Sequence, residues 1–181
     1  MVCLSQTLKS VILTACSIGI AQVALANEIS EEPATEIERA ALIDRLIVHK
    51  DYKNALAQVA EGLKVNPKSA QLKFKQAVIY ERSGQTTRAK ALLEDFIDSY
   101  PEIVEPYNNL AAIYAAEGNI DRALTLLNQA ITINPRFALG HENLGDLYLQ
   151  KAIAHYKNAV KGQPQNSRMN RKLKAAENLI H

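Results

Sequence analysis

The sequence predicts an all-α solenoid of three full helix pairs, a shortened fourth pair and a capping helix. Three observations carry this. Landmark residues recur at a fixed period: Pro67, Pro101 and Pro135 are 34 residues apart, and so are Ala55, Ala89 and Ala123. A period of that size marks stacked units, each with too little core to stand alone. Within each unit the apolar residues fall at three- and four-residue spacing, the period of an amphipathic helix. Composition agrees: 181 residues with no Trp, 7 Gly and 6 Pro, 48% hydrophobic and 22% charged, describe a globular chain that favours helices over sheets.

Taken in order, the first 26 residues are of another kind. "MVCLSQTLK" carries a single positive charge at Lys9, "SVILTACSIGIAQV" carries none, and Ala24 and Ala26 precede the polar "NEISEE". This is the layout of a secretory signal peptide, with a mature chain expected from Asn27. The apolar run from Val11 to Ala26 is 16 residues, shorter than the ~20 that span a bilayer. "LTAC" (Leu13–Cys16) resembles the lipobox of bacterial lipoproteins, so a membrane-anchored lipoprotein is the alternative. The apolar run past Cys16 argues against it. Cys3 and Cys16 both lie in the removable segment. The mature chain is thus expected to have no disulfide, no thiol nucleophile and no Cys-based metal site, which an oxidising periplasm tolerates. Residues 27–35, acidic and containing Pro33, read as a flexible lead-in.

Three blocks follow: 36–69, 70–103 and 104–137. In the third, Leu110, Ile113 and Tyr114 define one helix face, and Ala123, Leu127, Ala130 and Ile131 define another. The small Ala111 and Ala123 allow close helix approach. Gly118 suits the left-handed end of a helix, Asn119 can cap the next one, and Asp121 favours its first turn. Pro135 pushes Asn134 out of helical geometry and stops the second helix. The second block keeps Ala77, Tyr80, Gly84, Ala89, Leu93 and Pro101, but places bulky Phe96 where a small residue is expected. In the first block Lys50 replaces the turn glycine and Ile43 a small residue, while Thr35 and Glu38 form a capping box.

The fourth block, 138–164, is short. Between Tyr148 and Ala152 lie three residues where full units have eight, and "LQKAI" holds no turn former. Leu144, Tyr148, Ala152 and Tyr156 run at four-residue spacing through the join. One continuous helix is expected from about Ala138 to Lys161, roughly 36 Å long. Residues 165–181 give a capping helix with Met169, Leu173, Ala176 and Ile180 on one side.

The third block, "VEPYNNLAAIYAAEGNIDRALTLLNQAITINPRF", resembles the tetratricopeptide repeat. Tyr107, Leu110, Ala111, Tyr114, Gly118, Ala123, Leu127, Ala130 and Pro135 match its pattern, and the resemblance covers most of 36–164. It implies a right-handed superhelix whose concave groove is lined by first helices. Carried over by position, that groove would present Gln71, Phe74, Val78, Glu81 and Arg82; then Glu105, Asn108, Ala112, Ala115 and Ala116; then Leu139, Glu142, Asp146, Leu149 and Gln150. Phe74 and Val78 are expected as an apolar floor, and Asn108 as a partner for a peptide backbone. The subtype that clamps a terminal carboxylate is excluded, since only Asn109 keeps its clamp residue; Phe74, Val78, Leu139 and Asn143 replace the others.

Catalytic chemistry is not advertised. "HENLG" (His141–Gly145) lacks the second histidine of a zinc-protease motif, and His141 reads as a packing residue. No phosphate loop and no nucleophile elbow occur, and no metal or cofactor is expected. Charge is segregated: residues 27–150 sum to −5 and residues 151–181 to +6. The expected function is a non-enzymatic interaction module in the bacterial envelope, periplasmic after export, that binds another envelope protein or a peptide segment. The alternative is an envelope-tethered protein applying Lys161, Arg168, Arg171, Lys172 and Lys174 to anionic lipid or glycan surfaces. Nucleic acid is not expected, because no reading module is present.

Overall fold

A computed structural model describes residues 35–179. The leader, both cysteines and the lead-in up to residue 34 lie outside the described residues, as does Ile180. The backbone divides into residues 1–37, of which only 35–37 are described, and residues 38–181, which form the helical unit considered below.

The described residues hold eight α-helices and no strand. They are α1 (Glu36–Val48), α2 (Tyr52–Val65), α3 (Ala70–Arg82), α4 (Thr86–Ser99), α5 (Glu105–Ala116), α6 (Ile120–Ile133), α7 (Ala138–Gly162) and α8 (Ser167–Glu177). From α2 onward consecutive helices pack in sequence, and the first helices of successive pairs also touch, α3 on α5 and α5 on α7; α1 joins α2 through the core shared by Ile43, Ala55 and Val59. One core cluster joins Ile43, Ala55, Val59, Leu72 and Ile79. A second runs from Ala77 and Leu93 through Leu110, Ala111, Ala123 and Leu127 to Leu144 and Leu147. The alanines at the crossing points, Ala77, Ala89, Ala111 and Ala123, are all buried, which is what lets backbones approach.

Each full pair is joined by the same turn. Backbone N–H groups of Asp51, Gln85 and Asn119 each donate to a carbonyl five residues earlier, at Leu46, Tyr80 and Tyr114, all at 2.8 Å. This bond closes a helix through one left-handed residue. Gly84 (φ 76°) and Gly118 (φ 80°) supply it in two turns, and Lys50 (φ 59°) in the first. Lys50 is the one non-glycine residue with positive φ among those described. The side chains of Asp51, Ser69, Asn119 and Asn166 cap α2, α3, α6 and α8 by accepting from the backbone three residues on.

Phe96 finds room by stacking. Its ring lies 5.6 Å from that of Phe74 and 4.8 Å from that of Tyr100, so one aromatic cluster fills the space beside α3 and α4. Another device recurs at the start of later first helices. Tyr107 donates its hydroxyl to the Pro101 carbonyl (3.1 Å), the His141 ring meets the Pro135 carbonyl (3.1 Å), and Asn170 donates to the Pro164 carbonyl (2.8 Å). Each bond ties a helix to the proline six residues before it. Since α8 carries the same latch, it begins as a further first helix would. His141 is exposed, so it acts through this hydrogen bond rather than through packing.

The shortened unit is a single helix, α7, of 25 residues. Its first part packs on α6 and α5, and its last part carries α8. The packed seam passes through Gly140, Leu144, Leu147 and Ile153. Tyr148, expected on the packed stripe, is 54% exposed. With the turn and the start of a second helix missing, no returning hairpin arm lies over it. On α8, Met169 and Leu173 are half-buried and Ala176 is buried.

Candidate functional site

The first helices form one continuous face because polar side chains bridge them. Lys75 on α3 pairs with Asp44 on α1. Asn109 on α5 donates to Glu81 Oε2 on α3 at 3.4 Å, and Asn143 on α7 donates to Asn108 Oδ1 on α5 at 2.6 Å. The second helices behave differently. Between α4 and α6 a groove of about 590 Å3 opens, with Tyr107 and Leu110 of α5 at its floor. First helices in contact and second helices splayed give a stack that curves with its first helices inside.

On this inner face the expected site residues separate into two groups. Gln71, Arg82, Glu105, Ala112 and Glu142 are exposed and available. Phe74 and Val78 are half-buried, and Phe74 is committed to Phe96, so neither is an open apolar floor. Asn108 corrects the expectation most clearly. It is 7% exposed, and its carbonyl oxygen accepts from Asn143, so it bridges two repeats rather than facing a peptide. The reason is stacking: α7 lays Asn143 directly over it. Asn109 is half-buried and bonded to Glu81.

A small recess lies one turn further along. Ala111, Ala112 and Ala115 of α5, with Leu147 of α7 and Leu127 of α6, line a recess of about 230 Å3. Asn143 and Asp146 stand at its polar side. Ala112 and Ala115 leave the helix surface low there, above Ala111, Leu127 and Leu147, which are buried. Sequence reasoning named Ala112 and Ala115 but not Leu127 or Leu147, since those are core residues by pattern.

The face is acidic. The first helices carry the exposed Glu105, Glu142 and Asp146 and the half-buried Glu81, against the exposed Arg82; Lys75 is already paired. Burial pushes the Glu81 carboxyl above the usual carboxylate range, and the neighbouring Arg82 only partly offsets this. A cation arriving here would meet unneutralised carboxylates. No group of His, Cys, Asp or Glu able to hold a metal occurs among the described residues.

The cationic residues at the other end are distributed as follows. Lys161, Arg168, Arg171, Lys172 and Lys174 are all exposed. Lys172 lies over the Tyr156 ring at 5.8 Å, and Lys157 pairs with Glu177 at 3.2 Å. No described helix is long and apolar enough to cross a membrane.

Two family models match the chain, "TPR repeat" over residues 111–151 and "Tetratricopeptide repeat" over residues 71–102. No curated protein matches it. Among solved structures it is similar to a chain of the Naa15/Naa10 complex bound to HypK-THB, at 23% identity and TM-score 0.57. That match covers 80% of this chain and 22% of the other, so this chain spans about a fifth of that relative. A thermophilic TPR protein of Thermus thermophilus is similar at 19% identity and TM-score 0.57, with 78% of this chain and 98% of the other covered. The first TPR domain of human RPAP3 is similar at 15% identity and TM-score 0.57, covering 66% and 93%. At these identities the likeness is one of fold. Together the matches support the tetratricopeptide reading of the repeats, a scaffold that typically mediates protein–protein interaction and is generally non-enzymatic.

Proposed function

We propose that this chain is a non-enzymatic adaptor of the bacterial cell envelope, exported to the periplasm, whose inner face takes a peptide segment or helix of another envelope protein. The observation that carries the binding site is the alanine-lined recess between α5 and α7, with Leu127 and Leu147 at its floor. An apolar side chain of the partner fits there, because it would cover the exposed Ala112 and the half-buried Ala115. Asp146 at its polar side, with the exposed Glu105 and Glu142 on the same two helices, favours a partner segment carrying Lys or Arg, since opposite charge steers encounter and like charge opposes it. Gln71, Arg82 and the amide of Asn109 continue the face towards α3. The envelope location rests on the leader-like first 26 residues.

The test is in-cell crosslinking with partner identification, comparing the parent chain with Ala112→Trp and with Glu142→Lys/Asp146→Lys. Ala112 is exposed, so Trp fills the recess without entering the core. Loss of the same crosslinked partner in both variants, with helix content unchanged, is the expected result. A crosslink pattern identical to the parent in both would refute the site. Fractionation with intact-mass analysis checks the location: a soluble periplasmic chain starting at Asn27 is expected, and a lipidated Cys16 would replace it with the anchored form.

A further inference from the structure

Charge along this chain is sorted into two blocks of equal and opposite charge. Residues 91–121 hold seven acids and no Lys or Arg; residues 151–174 hold seven Lys or Arg and no acid. Within the chain they neutralise each other only in part. Lys151 pairs with Asp121, while Lys90 takes Glu117 at 2.8 Å and Lys157 takes Glu177 at 3.2 Å. What remains lies in two rows. On the outer face Glu94, Asp95 and Asp98 of α4 and Glu102 of the following turn are exposed, with no ion pair among the described residues. Glu94 and Asp98 form one wall of the groove between α4 and α6, Arg122 stands in the opposite wall, and Glu94 also accepts a 3.0 Å bond from the Tyr114 hydroxyl. On α8, Met169, Leu173 and Ala176 face α7, which turns Arg168, Arg171 and Lys174 outward, also with no ion pair among the described residues.

We infer that the chain self-associates, the cationic row of α8 in one copy lying along the acidic wall of the α4–α6 groove in another. The occupant is a second copy because the two rows are complementary and cannot meet within one chain: α8 packs on α7 alone among the described helices. The spacings agree. Arg168, Arg171 and Lys174 are three residues apart, about 4.5 Å of rise each, so the row extends about 9 Å. Glu94 and Asp98 are four residues apart, about 6 Å, and Glu102 prolongs the wall beyond the helix end. The apolar face of α8 is already committed to α7, so the contact is electrostatic rather than hydrophobic. The two surfaces differ, so the contact is heterologous; it closes into a pair only if each copy inserts its α8 into the other, and otherwise propagates. It uses the outer face and is independent of the recess on the inner one.

Sedimentation velocity on the purified full chain tests this. Association is expected at about 10 mM salt, where charges act over ~30 Å, and dissociation at about 150 mM, where the range falls to ~8 Å. Reversing α8 (Arg168→Glu/Arg171→Glu/Lys174→Glu) is expected to weaken association by about ten-fold or more, because three exposed pairs each contribute a few-fold. Reversing the wall (Glu94→Lys/Asp98→Lys/Glu102→Lys) is expected to do the same. An equal mixture of the two reversed chains restores association, since each then meets a surface of opposite charge. A chain that stays monomeric at low salt, or a mixture that does not recover, overturns the inference. If only the α8 row matters, and its reversal abolishes co-sedimentation with phosphatidylglycerol vesicles instead, α8 is a membrane-surface element and the inference is likewise overturned. Should the wall variant lose helix content, the α8 variant alone still decides, because its three residues are exposed.

Discussion

Two helical glycines, given the same substitution, should respond with opposite sign. Gly145 lies within α7, exposed, and a Cβ added there meets nothing within 4 Å. Gly145→Ala therefore shows the helix preference alone, a gain of about 1 kcal/mol. Gly62 lies in α2 and is buried. There an added Cβ would fall 2.5 Å from Leu72 Cδ1 and 2.7 Å from Arg39 Cδ. Leu72 is 1% exposed and enclosed by Ile43, Val59 and Ile79, so it cannot swing aside without moving the core. Arg39 is held by a 2.9 Å bond from its guanidinium to Gln58 Oε1. Overpacking of this kind costs about 1–3 kcal/mol, and a strained hydrogen bond adds up to about 1 kcal/mol. Steric cost exceeds the helix gain, so Gly62→Ala should destabilise by about 1–2 kcal/mol. Urea unfolding followed by far-ultraviolet circular dichroism measures both, read as midpoints at unchanged slope. In heating, 1 kcal/mol corresponds to about 2–4 °C for a domain of this size. If Gly62→Ala stabilised the protein as much as Gly145→Ala, the close packing of α1, α2 and α3 would be wrong.

Lys50→Gly should stabilise by up to about 1 kcal/mol, since a side chain at φ 59° is strained and glycine is not; Gly118→Ala, with open space around it, should destabilise by about 1 kcal/mol in the same assay. Asn108→Ala and Asn143→Ala should each cost about 1–2 kcal/mol, because each strips a partner from a poorly hydrated amide. In a double-mutant cycle the pair should be clearly less than additive, and additivity within error would show that the 2.6 Å bond between them is not formed in solution. Glu81 gives a pH dependence. Burial raises its folded pKa above the ordinary 4.5 of a glutamate, so its contribution to stability is fully present below about 4.5 and is lost as pH rises through the folded value. Glu81→Gln, which keeps an oxygen for Asn109, should therefore be more stable than the parent at neutral pH and no more stable at pH ~4. Equal gains at both pH values would contradict the burial cause.

The repeat architecture could be read from the chain because it depends on local rules. Pro at a fixed interval stops helices, Gly or its substitute turns them, and alanines mark the crossings. The absence of any turn former between Tyr148 and Ala152 belongs to the same class of information, and α7 is one helix there. What the pattern could not show is how one repeat covers the next. Asn108 looks like a free groove residue until Asn143, 35 positions later, is laid over it. Phe74 looks like groove floor until Phe96 is found against it. Both depend on stacking distances that periodicity does not contain. Tyr148 fails for a related reason: its spacing is correct, but the arm that would cover it was deleted. The recess was half legible, since its alanines are visible in sequence while the part that the buried Leu127 and Leu147 take in its lining depends on how far α5 and α7 part.

The uninterrupted α7 also fixes where this molecule can grow. A tandem array lengthens by duplication only if each unit returns the chain to its starting side, so that the next copy finds the same platform. Every unit up to Pro135 does so. From Ala138 the chain runs on for 25 residues without turning back, about 37 Å at ~1.5 Å per residue, and delivers α8 onto α7 alone among the described helices, where α5 and α7 also touch the first helix before them. A spare 34-residue unit inserted before Ala138 would keep phase; one appended after Gly162 would have no platform. The length of the array is thus open on one side and closed on the other.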